Sequence, residues 1–320
     1  MKRNALLGIV LAVLTVVVMA CLPLVVKKDS ILNLLILVLL YMVLASSWNI
    51  IGGYAGQSNL GHAAFFGIGS LVTRLLWVTG WPFIACLAAG VVSAIALALL
   101  IGFPAFKLRG VYFAIGTLAL AQILNVTVGN LLPEMSYNPA LADYQLLPRY
   151  YLFLAMAVIT IGAAYALVHS RLGLGLKAVK GQEDAAESLG VSALKHKLIA
   201  LVFSAAFAGL AGGGFAFYHV SYYLNMPFSP LWTFDPMMMA YIGGAGTTIG
   251  PIIGSVFFVL IKELLVLKVG AYHLVIFGTL FILVVLFLPG GLVEAWEKTR
   301  TALKRWTRAR PRGPVATDTR

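Results

Sequence analysis

Residues 182–190 read QEDAAESLG and place three carboxylates, Glu183, Asp184 and Glu187, between two long apolar runs. Acids at this spacing could form the outer face of a short helix that docks on another protein, or could keep an ordinary loop in water. From Gln182 to Leu189 every residue tolerates or favours helix, and Gly190 suits a C-terminal stop. The carboxylates sit in the first turn, where they oppose the helix dipole favourably. Ala185, Ala186 and Leu189 would make one small apolar patch on such a helix, and Ser192 would cap the next one. Residue types alone do not choose between docking and topology.

Elsewhere the polar residues suggest passage or packing rather than reaction. Gln122, Asn125 and Gly129 fall at i, i+3 and i+7, one helical face that could line a path or bond neighbouring helices. His62 follows a glycine-rich stretch, and Arg74 stands near the outer end of an apolar run, where it could reach the interface or face a path. Lys262 and Glu263 are expected to pair with neighbours. Cys21 and Cys86 lie in apolar runs with no histidine at ligand spacing, so neither a disulfide framework nor a metal site is expected. Nothing converges into paired carboxylates or a Ser-His pair, so no catalytic residues are assigned and an enzyme is not expected. A G-x-x-x-x-G-K-[ST] loop is missing as well, so the chain cannot cradle ATP by that route.

The elements that must position these residues are membrane spans. The chain has 320 residues, is 61% hydrophobic and carries only 11% charge, too little to clothe a water-soluble domain. Apolar segments near 5–26, 31–51, 60–78, 83–106, 111–132, 150–169, 198–220, 236–247, 249–268 and 271–288 predict an all-α polytopic membrane protein. VMAC at 18–21 loosely resembles a lipoprotein cleavage site, but the apolar run continues past it, so a retained first helix is the better reading. The net charge of +12 gathers at Lys2-Arg3, Lys107 and Arg109, the 171–197 segment and the tail, which should all be cytoplasmic. Without aromatic-basic interleaving, nucleic acid is not a partner.

Both termini inside require an even count, about ten transmembrane segments in two halves of opposite topology. Lys27-Lys28 falls outside in that scheme, against the rule. Residues 1–297 would form the transmembrane domain and 298–320 a basic tail, a lipid-facing anchor that frays after Pro311. Two stretches, IGGYAGQSNLGHAAFFGIG at 51–69 and IGGAGTTIGPIIG at 242–254, predict Gly-rich broken helices. Irregular backbone at membrane depth is tolerated where protein or a wet cavity satisfies it. Gly52, Gly53, Gly56, Gln57, Asn59 and His62 from the first, and Gly243, Gly244, Gly246 and Thr247 from the second, are therefore path candidates, with Arg74, Gln122 and Asn125. Close helix packing is the competing reading.

The segment AVKGQEDAAESLGVSALKHKL resembles the ATPase-facing loop of LivM-type permeases, the branched-chain amino acid importer family. NIIGGYAGQSNLGHAAFFGIGS, KLRGVYFAIGTLALAQI, SAAFAGLAGG, YIGGAGTTIGPIIGS and LFLPGGL resemble further blocks of that family, in its order, from about Trp48 to Leu292. The resemblance implies an integral permease of an ABC importer in the bacterial inner membrane. Its partners would be a second related permease, two cytoplasmic ATPase subunits that bind ATP and Mg, and a periplasmic solute-binding protein. It also implies that Glu183, Asp184, Ala185, Ala186, Glu187, Ser188, Leu189 and Gly190 form the coupling helix, and that this chain holds no cofactor of its own. The family's TGG…GL element is missing from 128–151, and Gln122 stands where a glutamate is common, so the solute stays open among amino acids, amides, urea-like and carboxylate compounds. An ion-gradient transporter is the rival, for which Glu263 is the candidate acid.

Overall fold

The structure is a computed structural model, and it describes residues 2–26, 28–132, 144–219, 223–269 and 290–308, with isolated positions between 270 and 289. The described residues are helical and contain no strand. In chain order the helices are α1 (Lys2–Val25), α2 (Asp29–Asn49), α3 (His62–Val78), α4 (Phe83–Ala105), α5 (Val111–Leu131) and α6 (Leu146–His169). Two short helices follow, α7 (Arg171–Gly181) and α8 (Glu183–Ser188), then α9 (Ala193–Tyr218), α10 (Leu231–Gly243), α11 (Gly250–Val269) and α12 (Gly291–Arg308). Among the described residues six helices are long and apolar enough to cross a bilayer, and α3 and the Val13–Val25 part of α1 are shorter apolar helices. The span expected over 271–288 lies largely outside the described residues. The apolar segment expected at 236–247 corresponds to α10, which begins earlier, at Leu231, and ends at Gly243.

Punctuation in the sequence sets the helix ends. Asp29 stands in the first turn of α2, Pro82 directly precedes α4, and Gly110, with φ 58°, supplies the left-handed residue before α5. α2 does not stop at Asn49 but widens into one π turn, Ile50–Tyr54. Such turns leave backbone groups offset from the regular ladder and open to other partners.

Helix position within the bundle follows from side-chain size. α2 runs through the centre: 83% of its most apolar window is buried, against 22% for α4 and 28% for α5 at the rim. α3, α4 and α9 meet through glycines, with Gly69 against Gly209, Gly90 against Thr73 and Gly209 against Ala94. In lipid, where apolar side chains gain little by leaving the solvent, small residues let backbones approach and van der Waals contact hold the helices. Phe66, Phe215 and Trp232 fill the space between α3, α9 and α10, with the Phe66 and Trp232 rings stacked at 4.5 Å.

Candidate coupling and permeation site

The polar segment between α6 and α9 folds as two short helices. Ser170 caps α7 by accepting from the Gly173 amide at 3.4 Å, and Ser192 caps α9 by accepting from Lys195 at 3.5 Å. Between them α8 spans Glu183–Ser188, with Glu183 and Asp184 in its first turn. Gly190, at φ 82°, supplies the left-handed backbone that ends it. The expected apolar patch is divided. Ala186 turns inward onto Val179 and Ala193, while Ala185 is exposed and Leu189 stands 86% exposed.

The carboxylates divide in the same way. Glu183 pairs with the buried Lys197 of α9 at 2.5 Å, and Asp184 meets Arg109 of the α4–α5 turn at 3.3 Å on the surface. Only the first of these is shielded enough to count for much. Glu187 projects outward. Beside α8 an open cavity of about 640 Å³ is lined by Phe103, Lys107, Arg109, Glu187 and Leu194.

α7 and the two glycine-rich breaks meet at one joint. Lys180 donates its ammonium to the Gly53 carbonyl at 2.7 Å, and its stem crosses Gly56, whose φ is 69°. Asn49, the last residue of α2, accepts from the Gly246 amide at 2.7 Å through Oδ1 and donates to the Thr247 carbonyl at 2.9 Å through Nδ2. Tyr54 and Thr248 share a hydroxyl contact at 3.3 Å. A Cβ on Gly53 would stand 2.6 Å from the Gly246 nitrogen, so the closeness of the two breaks requires glycine there. Thr247 then starts α11, accepting from the Gly250 amide at 2.9 Å while donating to the Gly244 carbonyl at 2.8 Å. Sequence reading missed Asn49 and Lys180 as parts of this site. Their signal was a polar residue two positions before the first break and a cation two positions before the acidic stretch at 182–190.

Other candidates occupy separate places. His62 is buried and shares 2.9 Å with Ser47 Oγ, and the next amide, Ala63, donates to Thr233 Oγ1 of α10 at 2.7 Å. Asn59 closes its own turn by accepting from Gly61, and Gln57 reaches only the Ala55 carbonyl. Gly52 lies over the Trp48 ring, and Gly243 packs against Gly250. Arg74 is 3% exposed; rather than reaching outward it donates to the Ala216 and His219 carbonyls at the end of α9. A buried guanidinium must be satisfied somewhere, and the orphan carbonyls of a helix end can accept it.

Gln122 and Asn125 lie on the outer side of α5 and bond each other at 3.3 Å. Glu263, the candidate acid of the gradient-driven rival, is exposed, whereas Asp235 is buried between Lys262 at 2.8 Å and the Tyr41 hydroxyl at 3.1 Å. Lys262 does pair, but with a residue the sequence did not single out. No group of three or more metal-ligating side chains gathers among the described residues.

A bundle of apolar spanning helices with interlocked glycine breaks, and with a polar helical segment packed against them at one end, is the architecture of a membrane transport subunit. The family model described as "Branched-chain amino acid transport system / permease component" matches residues 30–285, and the chain belongs to that family. The high-affinity branched-chain amino acid transport system permease protein LivM of Salmonella typhimurium is 28% identical, over 88% of this chain and 73% of its own length. The Escherichia coli protein of that name is 26% identical over the same shares. A probable LivM permease of Methanocaldococcus jannaschii is 24% identical over 79% of this chain and 90% of its own. No solved structure matches the chain.

Proposed function

We propose that this permease is the translocation subunit of an ABC importer for a small polar solute: a branched-chain or other amino acid, or a small amide, urea-like or carboxylate compound. The observation that carries the reading is α8. Its inner face is tied down by Ala186 and the Glu183–Lys197 pair, while Ala185, Glu187 and Leu189 are left free on the outside. A helix held on one side and bare on the other suits a partner that pushes on it. Uptake is driven by ATP hydrolysis in two partner ATPases, which bind ATP and Mg. A second related permease completes the path, and a periplasmic binding protein delivers the solute. In this reading Glu183–Gly190 is the coupling helix, residues 1–297 form the permease domain and 298–320 the cytoplasmic tail. The chain crosses the bacterial inner membrane about ten times in two halves of opposite topology, with both termini cytoplasmic.

The joint supplies a route for the motion. α8 follows α7 directly, and Lys180 of α7 holds the first break, which Asn49 holds to the second. A displacement of α8 that differs between the two states of the ATPases is then felt at both breaks. The outward Gln122 and half-buried Asn125 support placing that side of α5 against the second permease or the path, since one mutual hydrogen bond leaves most of their donors and acceptors unmet and amides facing lipid are costly.

The test is purification of the tagged chain from native membranes in mild detergent, followed by mass spectrometry. Recovery of two ATPases and a second permease is expected. A stable complex without an ATPase, in membranes that still take up the solute, would overturn the reading in favour of a gradient-driven transporter.

A further inference from the structure

α12 is too polar to span a membrane, yet it is strongly two-faced. Leu292, Trp296, Leu303 and Trp306 recur at helical spacing, and the remaining positions hold five cations, Lys298, Arg300, Lys304, Arg305 and Arg308, against two carboxylates, Glu294 and Glu297. Both carboxylates fall in the first half, and Glu294 is in the first turn. Trp296 is 70% exposed, so the described residues leave most of its ring uncovered. The start of the helix, by contrast, is firmly seated. Leu292 packs on the main core, and a Cβ on Gly291 would stand 2.7 Å from Gly244 Cα and 2.8 Å from the Gly243 carbonyl carbon. Gly244 itself would meet Val293 at 3.4 Å. α12 therefore begins on the second glycine break, at the joint that also holds Lys180 and Asn49.

We infer that α12 is an in-plane membrane helix that binds an anionic lipid surface, and that the charge of this surface governs the order of the second glycine break. The chemistry selects the occupant. An apolar stripe bearing tryptophan enters the interface, and the cations, four of the five in the helix's second half and Lys298 beside Glu294 in the first, find anionic headgroups. A helix long enough to lie along the leaflet, clamped to Gly243–Gly244 at its first residue, is a lever. When the surface holds its length, the contact of its start with the break is steadied, and when the surface is uncharged the swinging length loosens that contact. This inference does not depend on the ATP-driven reading, because lipid and this chain suffice.

The experiment reconstitutes the full chain, without other subunits, in nanodiscs of phosphatidylcholine or of equal parts phosphatidylcholine and phosphatidylglycerol, and follows amide exchange. Over 291–308 and 243–250, exchange is expected to slow on the order of tenfold in the anionic discs. Exchange in α3 and α9 should match in the two lipids and reports that the bundle is folded. Replacing Lys298, Arg300, Lys304 and Arg305 together by Gln, which keeps helix propensity, should abolish the lipid difference at both segments. W296S should weaken it while leaving the charges in place. Equal exchange of the wild-type chain in the two lipids would overturn the inference. So would protection that appears only after partner ATPases are added, since α12 would then be a protein-docking helix.

Discussion

The ammonium of Lys180 and the carbonyl of Gly53 lie 2.7 Å apart although 127 positions separate them in the chain. One belongs to the polar segment outside the spans and the other to the π turn that ends the central helix, so the contact joins the proposed input of the transporter to its proposed path. Lys180→Met keeps the stem that covers Gly56 but removes the donor. In proteoliposomes of the assembled importer, ATP hydrolysis should persist while uptake per ATP falls by roughly five- to fifty-fold, the range of typical coupling energies. Unchanged uptake would mean that motion reaches the breaks by another route.

Glu183 and Glu187, alike in sequence, should behave differently. Glu183→Lys sets a second cation against Lys197, whose side chain is only 3% exposed, and should cost about 3–5 kcal/mol. Such a variant is expected to lower the amount of folded chain in the membrane. Glu187→Lys alters an outward side chain and should leave that amount unchanged while weakening co-purification of ATPases. Immunoblots of membranes, read beside pull-downs, separate the two effects; equal behaviour would contradict the division of the α8 face.

Glycine packing makes a prediction about folding alone. A side chain at Gly212 would meet the Ser70 amide nitrogen at 2.9 Å, so Gly212→Val should destabilise the α3–α9 contact by about 1–3 kcal/mol. Gly162 of α6 has nothing within 4 Å, and Gly162→Ala should be neutral or mildly stabilising. Thermal midpoints in detergent, measured by fluorescence-detected size exclusion, should fall for the first and hold or rise for the second.

Asp235 and Lys262 test the gradient-driven alternative. Asp235→Asn strips a partly buried ammonium of its partner and should lower stability by roughly 3 kcal/mol. Adding Lys262→Met should recover much of that loss, because neither charge is then left alone. If Asp235 is structural, the double variant transports. Lost transport in a stably folded double variant, together with sensitivity of the wild type to a protonophore, would make Asp235 a coupling acid.

The amides of α5 offer a last check. Gln122→Leu with Asn125→Leu removes a pair that bonds only within its own helix, so thermal stability of the isolated chain should change by less than about 0.5 kcal/mol. Transport by the assembled importer should nonetheless fall. Normal transport would place this face toward lipid.

The helical, membrane-spanning class was legible in composition, because a chain that is 61% hydrophobic has no surface to offer water. The acidic helix at 183–188 was legible as well: its propensity, its first-turn acids and its stop glycine are local properties. So were the two glycine stretches as interruptions of regular helix. What local pattern cannot carry is direction. Whether Arg74 points to the interface or to the end of α9, and whether Ala185 and Ala186 share a face, depends on which helix lies alongside.

The same holds for partners distant in sequence. Asp235 drew no notice beside Pro236, because its meaning comes from Lys262 and Tyr41 on other helices. Lys180 read as one more cation favouring the inner side of the membrane, although its reach to Gly53 makes it part of the joint. By itself the sequence determined the solvent this protein lives in and the short elements its backbone prefers, since both follow from residue type and spacing. The tertiary structure alone decided which polar groups meet, because a buried charge or amide takes its role from whichever partner close packing brings within hydrogen-bond reach.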